Sequence, residues 1–219
     1  MITYDIIKEN KDIKTYIEQA DASLRELGYT EHSYAHVCRV AEQAGKILEL
    51  LGHSEREAEL AKIAGYMHDI GNIVNREEHS QSGAVMAFRI LDKLGMPPAE
   101  IAKIMTAIGN HDEGNGVPVS DISAALILAD KTDVRRTRVR NSDMQSFDIH
   151  DRVNYSVTSS NLVIIPEAKE MRLVLTIDTK IGSIMDYFEI FIGRMKLCRR
   201  SAERLGSKFV LVINGQELM

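Results

Sequence analysis

Apolar residues recur every three or four positions through most of residues 1–140, with polar residues between them. This spacing is typical of amphipathic helices that bury one face. The pattern therefore predicts a bundle of helices over this part of the chain. Two of its stripes are Ala58-Ala61-Ala64-Met67 and Ile101-Ile104-Met105-Ile108.

Local signals mark the ends of these helices. Ser54 and Glu57 have the spacing of a capping box, in which each side chain accepts a hydrogen bond from the backbone N–H of the other. Pro98 suits the first turn of a helix, where its missing N–H would have had no partner. Ser120 is a typical N-cap residue, and the composition of Gly114–Pro118 is that of a loop. We therefore expect helices before and after this loop.

The pattern changes after residue 143. Residues 162–165, 171–177 and 209–213 are rich in β-branched and apolar side chains and predict three strands. Asn214-Gly215 is a strong signal for a hairpin turn. A long helical stripe lies before the last strand and is expected to be buried: Ile181, Met185, Phe188, Ile192, Met195, Cys198, Ala202 and Leu205.

These elements predict a mainly α fold in two parts. Residues 1–140 form a helical bundle and residues 161–219 a small α+β domain. Residues 141–160 are polar and weakly periodic, which predicts a linker. A chain of 219 residues is long enough for one large domain with a small companion.

Composition and charge narrow the classes of protein. The 27 basic and 32 acidic residues give a net charge of −5, which argues against a general coat protein for nucleic acid polymers. The longest apolar run, Ala124–Ala129, is too short for a membrane span, and the N-terminus does not resemble a signal peptide. Cys38 and Cys198 lie far apart and are expected to be reduced thiols. We therefore expect a cytoplasmic protein that binds no membrane.

Histidine and aspartate occur at or beside apolar stripes on five predicted helices. A lone histidine on such a face is more often a hydrogen-bonded core residue than a metal ligand. Six buried polar groups on five helices would be very unfavourable without a shared partner, however, and helical bundles do build metal sites from facing side chains. The six candidate ligands are His36, His68, Asp69, His79, His111 and Asp130. By contrast, His32, His53 and His150 have no such placement and are expected at the surface.

The order of these residues resembles the H…HD…D signature of HD-domain metal-dependent phosphohydrolases. His36, the pair His68-Asp69 and Asp130 carry the signature. The segments 79–84 and 110–118 resemble those that supply two further histidines in family members with two metals. Among these, the chain is similar to the HD-GYP and the symmetrical diadenosine-tetraphosphate hydrolase branches. The resemblance covers about residues 30 to 140 and implies an HD-domain fold for the bundle.

Two positions depart from the family patterns. Asn72 stands where many members carry a lysine after HD-x-G, which removes one expected phosphate contact. Asn110 replaces the first histidine of the HD-GYP pair, and Gly116-Val117-Pro118 replaces Gly-Tyr-Pro. These departures argue against hydrolysis of cyclic dinucleotides.

The resemblance implies a site with two divalent transition-metal ions. Imidazole and carboxylate ligands without thiolate suit iron or manganese best, with zinc, cobalt or nickel as alternatives. One ion is expected at His36, His68, Asp69 and Asp130, and the other at Asp69, His79 and His111. Asp69 is the expected bridge between them.

The same resemblance implies hydrolysis by a metal-activated hydroxide. We expect Asp69 and Lys131 to be catalytic, and Lys131 and Arg135 to bind the substrate. The arginine-rich stretch 135–140 is either a solvated helix end or a rim that attracts a polyphosphate. Asp112 and Glu113 are candidates for a general acid, with solvated loop carboxylates as the alternative.

The predicted function is a metal-dependent phosphohydrolase. Its expected partner is a small phosphorylated substrate, most simply a nucleotide, and a homodimer is one candidate assembly. Two alternatives stay open at this point. One is a diiron oxygenase, since such enzymes share the ligand arrangement. The other is a regulatory module that binds a nucleotide without turnover.

Overall fold

A computed structural model describes residues 1–218 and shows that the chain is mainly helical. The helices of this part are α1 (Tyr4–Glu9), α2 (Lys11–Glu26), α3 (Tyr34–Leu50), α4 (Glu55–Met67), α5 (His79–Lys93), α6 (Pro98–Gly109), α7 (Asp121–Lys131), α8 (Ile149–Ser156) and α9 (Ile184–Arg204). Helices α1 to α7 form the bundle. None of the helices within residues 1–218 is long and apolar enough to cross a membrane.

A four-stranded sheet follows the bundle in the chain. Its strands are β1 (Val157–Ile165), β2 (Glu170–Ile177), β3 (Lys208–Ile213) and β4 (Gln216–Glu217). The order is β1-β2-β3-β4, with β2 and β3 parallel and the two outer pairs antiparallel. Helix α9 is the crossover between the two parallel strands. The predicted fold class, a helical bundle followed by a small α+β unit, is therefore confirmed.

Several predicted helix starts are confirmed by their caps. The side chains of Ser54 and Glu57 each accept a hydrogen bond from the backbone of the other at the start of α4. Ser120 caps α7 in the same way with Ser123, and α6 begins at Pro98. Asn214 and Gly215 both have positive φ, as the tight turn between β3 and β4 requires.

Helices α3 and α4 pack closely because α4 carries a glycine at the contact. A Cβ at Gly65 would lie 2.7 Å from the Cα and 2.9 Å from the N of Ala41 on α3. We expect Gly65→Ala to lower the free energy of unfolding by about 1–3 kcal/mol, since overpacking forces the backbones apart. For a chain of this size that corresponds to a fall of about 3–10 °C in Tm, measured by calorimetry.

The matched control is Gly193→Ala on α9. A Cβ there meets nothing within 4 Å, and the residue is exposed. Alanine is favoured over glycine in a helix by up to about 1 kcal/mol, so this variant is expected to be as stable as the parent or more so. A Gly65→Ala protein with the parent's Tm would show that the α3–α4 contact yields easily.

The predicted linker 141–160 contains regular structure. It includes α8 and the first residues of β1. One continuous apolar core extends from Tyr4 in the bundle to Ile213 in the sheet. The division into two domains at this segment stays a prediction.

Helix α9 buries a different face at its N-terminal end from the one predicted. Met185 and Ile192 of the predicted stripe are exposed, by 74% and 40%, whereas Tyr187 and Phe191 are buried. The two candidate stripes overlap from Met195 onward, so the apolar pattern alone does not distinguish them. The bulky aromatic rings enter the core because they bury more apolar surface than Met185 or Ile192.

Helix α9 runs antiparallel to α7 and is connected to the bundle at two points. Near its C-terminal end, Arg204 Nε lies 2.9 Å from Asp121 Oδ1 at the start of α7. Near its middle, Arg194 Nε lies 2.8 Å from Glu113 Oε1, in the loop before α7. The crossover helix of the sheet therefore also forms part of the wall of the bundle.

Candidate metal centre

Asp69 lies at the centre of the predicted ligand set, immediately after α4 ends. Its carboxylate is buried, and its two oxygens face opposite ways. Oδ2 lies 3.1 Å from His68 Nε2 and 3.6 Å from His36 Nε2. Oδ1 lies 3.6 Å from His79 Nε2 and 4.0 Å from His111 Nε2. One carboxylate thus stands between two pairs of imidazoles, as a bridge requires.

The first pair of imidazoles has a second carboxylate beside it. Asp130, at the end of α7, places Oδ1 3.3 Å from His36 Nε2 and 3.7 Å from His68 Nε2. On the other side, His79 Nε2 and His111 Nε2 lie 3.2 Å apart. The structure therefore brings all six predicted residues together. Their roles as ligands stay a prediction.

All four imidazoles are oriented by a contact at Nδ1. His68, His79 and His111 each donate from Nδ1 to a backbone carbonyl three residues earlier, at 2.8, 3.0 and 2.6 Å. His36 donates from Nδ1 to Asp133 Oδ2 at 2.8 Å. These bonds direct each Nε2 towards the centre, which is how histidine is held when it binds a metal.

Two of these nitrogens are buried polar atoms without a hydrogen bond. Nε2 of His36 and Nε2 of His68 have no hydrogen-bond partner among the residues that the structure describes. Leaving such atoms unpaired is unfavourable by about 1–3 kcal/mol each. A divalent cation would satisfy both nitrogens and the two carboxylates beside them. The donor set of imidazole and carboxylate therefore fits the metals predicted from the sequence.

The ionisation states of the histidines and aspartates at the centre also fit the binding of a divalent cation. Burial lowers the pKa of His79 and of His111, so both rings are neutral and able to bind a metal. Burial by itself would raise the pKa of the Asp69 and Asp130 carboxyls. The positive charge of a neighbour outweighs burial in both cases and holds each pKa well below its usual range. The neighbour is His68 for Asp69 and Lys131 for Asp130.

His68 shows how strongly the carboxylates attract positive charge. Burial would lower the pKa of its ring, yet Asp69 and Asp130 outweigh that effect and raise the pKa to about 10. A metal ion at this point satisfies the same two carboxylates in place of the proton.

A cavity of about 460 Å³ opens over the centre. Its floor includes Asp69, His79, His111 and Asp130. One wall comes from the loop between α2 and α3, with Tyr29 and Thr30. The opposite wall comes from the C-terminal unit, where Asn154 lies on α8 and Phe191 and Arg194 lie on α9. Both the bundle and the C-terminal unit therefore build the site.

Lys131 lies in this cavity, where the sequence predicted a substrate contact. Its Nζ is 2.8 Å from Asp130 Oδ2 and 2.7 Å from Glu113 Oε2. Burial opposes its charge, but these two carboxylates outweigh burial and raise the pKa of Lys131, so the side chain is an ammonium ion. Lys131 and Arg194 likewise overcome the effect of burial on Glu113 and hold its pKa far below the usual range. An ionised Glu113 is not suited to the role of a general acid.

Arg135, the second predicted substrate contact, is placed elsewhere. It is not among the residues within 1–218 that line the cavity, and it pairs with Asp133 at 2.6 Å and Glu31 at 3.8 Å. The prediction placed Arg135 one helical turn beyond Lys131, but α7 ends at Lys131, so that spacing does not apply. His32 and His150 both line the cavity; His150 is exposed, as expected, whereas His32 is half-buried. His32 is also packed against the ring of His36.

Two residues that the sequence did not single out take part in the site. Arg76 reaches the cavity from the segment before α5, donates to Asn72 Oδ1 at 3.2 Å and lies over the ring of Tyr29. Its guanidinium also lies 3.4 Å from His79 Nε2, so both of its side-chain hydrogen bonds within residues 1–218 are to neutral groups and its charge is left for a ligand. Asp133, three residues after Asp130, is the carboxylate that orients His36. That spacing was a usable signal for Asp133, whereas none marked Arg76.

Comparison with known proteins gives a family match, a sequence relative and a similar solved structure. The family model described as the HD domain matches residues 33–138. The chain is 27% identical to an uncharacterized protein of Methanocaldococcus jannaschii, MJ1020, in an alignment that covers 76% of this chain and 72% of that protein. It also resembles the crystal structure of a predicted HD superfamily hydrolase from an uncultured Thermotogales bacterium, with a TM-score of 0.46 and 22% identity over 62% of this chain and 75% of the other.

The match and the geometry concern the same segment. The six gathered residues all lie within 33–138, and two groups of them, His36-His68-Asp130 and His68-Asp69-His111, have donor atoms close enough to share an ion. Both findings support a metal-dependent hydrolase. Residues 33–138 match the HD domain, and this segment contains all six residues of the centre.

Proposed function

We propose that this protein is a metal-dependent phosphohydrolase, which cleaves a phosphoester or phosphoanhydride of a small phosphorylated metabolite. The observation that carries the proposal is Asp69, whose two oxygens face two pairs of imidazoles below a cavity that Lys131 and Arg76 line. Two divalent ions bound at such a centre lower the pKa of water and stabilise both the attacking and the leaving oxygen of a phosphoryl group.

The side chains around the centre are suited to a phosphoryl group. Lys131 lies beside Asp130 and Arg76 beside His79, and both supply positive charge for its oxygens. Arg138 also lines the cavity, but its guanidinium donates to the backbone oxygens of Glu31 and Asp133, so it serves to position the loop. Burial raises the pKa of the Cys198 thiol to about 12, which argues against a thiolate nucleophile there.

We further propose that the metabolite is a nucleotide. The cavity volume lies within the usual range for small-molecule sites, which is about 300–1,000 Å³. Tyr29 lines the cavity and is 43% exposed, so a base can stack against its ring. Asp148, Asp151 and Asn154 line the part contributed by α8 and its start, and their oxygens are acceptors for sugar hydroxyl groups. These features support a ligand with an anionic end, a hydroxylated middle and a planar group.

The test combines elemental analysis with a phosphate-release screen. The protein is purified, its metal content is measured, and nucleotides, dinucleotides and sugar phosphates are supplied with Mn²⁺ or Fe²⁺. We expect about two ions per chain and release of phosphate, with nucleotides turned over fastest. A product whose formation requires oxygen would instead support the diiron oxygenase. Tight nucleotide binding without turnover in any divalent metal would support the regulatory module.

A further inference from the structure

A row of alternating charges leads from the metal centre to α9. Asp130 is followed by Lys131, then by Glu113, and then by Arg194, with successive contacts of 2.8, 2.7 and 2.8 Å. Arg194 is the last member and comes from the crossover helix of the sheet. Its side chain is 25% exposed, and it lines the same cavity as the candidate ligands. A cation from outside the HD domain is therefore part of the cavity wall.

Glu113 occupies the position where the two cations converge. Its Oε2 contacts Lys131 and its Oε1 contacts Arg194, so this carboxylate lies between the two cations. Lys131 also lies 2.8 Å from Asp130 and 3.7 Å from Asp112. Glu113 lies in the loop that follows His111, whereas its two partners lie on helices. Two donors held at one point by helices form an anion site, and here the chain's own carboxylate occupies it.

Arg194 itself is held rigidly in the direction of this point. Its guanidinium carbon lies 4.4 Å from the centre of the Phe191 ring, one turn earlier on α9. Met195 and Cys198, which follow that turn on α9, are fully buried and fix the rotation of the helix. The guanidinium would therefore stay in place if Glu113 moved away.

Arg194 is connected to the centre through Glu113 and Lys131 rather than by a direct ion pair. Lys131 contacts Asp130 directly, whereas within residues 1–218 no candidate ligand has a carboxylate within 4 Å of Arg194. Any anion that Arg194 binds must therefore be a neighbour of the group at the centre.

On the basis of the proposed phosphohydrolase function, we propose that Arg194 is a specificity-determining residue that binds a second anionic group of the substrate. That group takes the place of the Glu113 carboxylate between Lys131 and Arg194. The preferred substrates are then compounds with two adjacent anionic groups, of which a diphosphate is the simplest. This assigns a role in the site to the C-terminal unit, since α9 supplies the residue that distinguishes one anionic group from two.

The test measures binding, because binding does not depend on turnover. Titration calorimetry on the Mn²⁺-loaded full chain uses two probes: methylenediphosphonate, which has two anionic groups and resists hydrolysis, and methylphosphonate, which has one. We expect Arg194→Ala to weaken methylenediphosphonate binding about 10- to 100-fold, the effect of losing one charge-assisted hydrogen bond. Methylphosphonate binding should be unchanged. Glu113→Gln should bind methylenediphosphonate several-fold more tightly than the parent, since the competing charge is gone.

The matched control is Arg204→Ala, on the same helix. Arg204 pairs with Asp121 of the bundle, as Arg194 pairs with Glu113, but Arg204 does not line the cavity. This variant should bind both probes like the parent. Thermal unfolding of each variant confirms that it is folded, and Glu113→Gln tests the site even if Arg194→Ala does not fold.

Three results would overturn the inference. They are unchanged methylenediphosphonate binding in Arg194→Ala, an equal loss for both probes, and weaker methylenediphosphonate binding in Glu113→Gln. The proposed hydrolase function fails separately, if the parent protein releases phosphate from no phosphorylated compound. In that case, the expected calorimetric pattern would still establish Arg194 as the residue that binds a second anion.

Discussion

Replacing Asp69 with alanine is expected to remove both the bound metal and the turnover. The two oxygens of this carboxylate face all four imidazoles of the centre, two on each side. Without it, neither ion has its bridging ligand, and the two groups of donors are no longer linked. We expect the metal content to fall to background and kcat/KM to drop by at least about 1,000-fold, roughly 4 kcal/mol of transition-state stabilisation.

Elemental analysis and phosphate release, measured side by side, check this prediction. Asp121→Ala is the control, because Asp121 lies on the bundle surface and pairs with Arg204 away from the cavity. It should keep the metal and the activity of the parent. Circular dichroism shows whether the Asp69 variant is folded. If that variant were folded and retained both ions, Asp69 would not be the bridge.

Lys131→Met is expected to reduce turnover while leaving the metal in place. The ammonium group lies beside Asp130 and inside the cavity, where charge on the phosphoryl oxygens increases during the reaction. Methionine retains the length of the side chain but not its charge. The loss of one such stabilising group typically reduces kcat about 100- to 1,000-fold.

The measurement separates kcat from KM and includes the metal content. Lys131→Arg should recover part of kcat, since it restores the charge with a different shape. Lys62→Met is the control, because Lys62 is also partly buried and paired with a glutamate, at 2.9 Å from Glu49, but lies outside the cavity. A Lys131→Met protein with the parent's kcat would remove Lys131 from the reaction.

The sequence predicted the start of a helix correctly where neighbouring residues in the chain determine that start. Ser54 and Pro98 begin helices because their caps depend on neighbours a few residues away. The buried face of α9 depends instead on what the helix meets in space. Met185 was expected inside because it continues a stripe, but Tyr187 and Phe191 fill the core. The apolar period predicts that the helix buries one face, but it does not show which face when two apolar stripes overlap.

The same distinction applies to the site. The histidines and aspartates of the centre are conspicuous in the sequence because they interrupt apolar helix faces. Arg76 and Arg194 give no such signal, because the sequence around each is also compatible with an ordinary exposed arginine, and the fold alone shows that both line the cavity. Arg135 shows the opposite error, because its spacing from Lys131 assumed a helix that had already ended. Residues placed by tertiary packing were therefore the ones missed or misplaced.

The centre takes its donors from the ends or interiors of five different helices, between residues 36 and 130. In the unfolded chain, His68 and Asp69 are the sole pair of these donors that are neighbours in sequence. The order of assembly follows from this, since the bundle must close before an ion can be held. Metal loading should consequently slow unfolding without accelerating folding. A cell short of metal would then accumulate folded, inactive protein that awaits its ions.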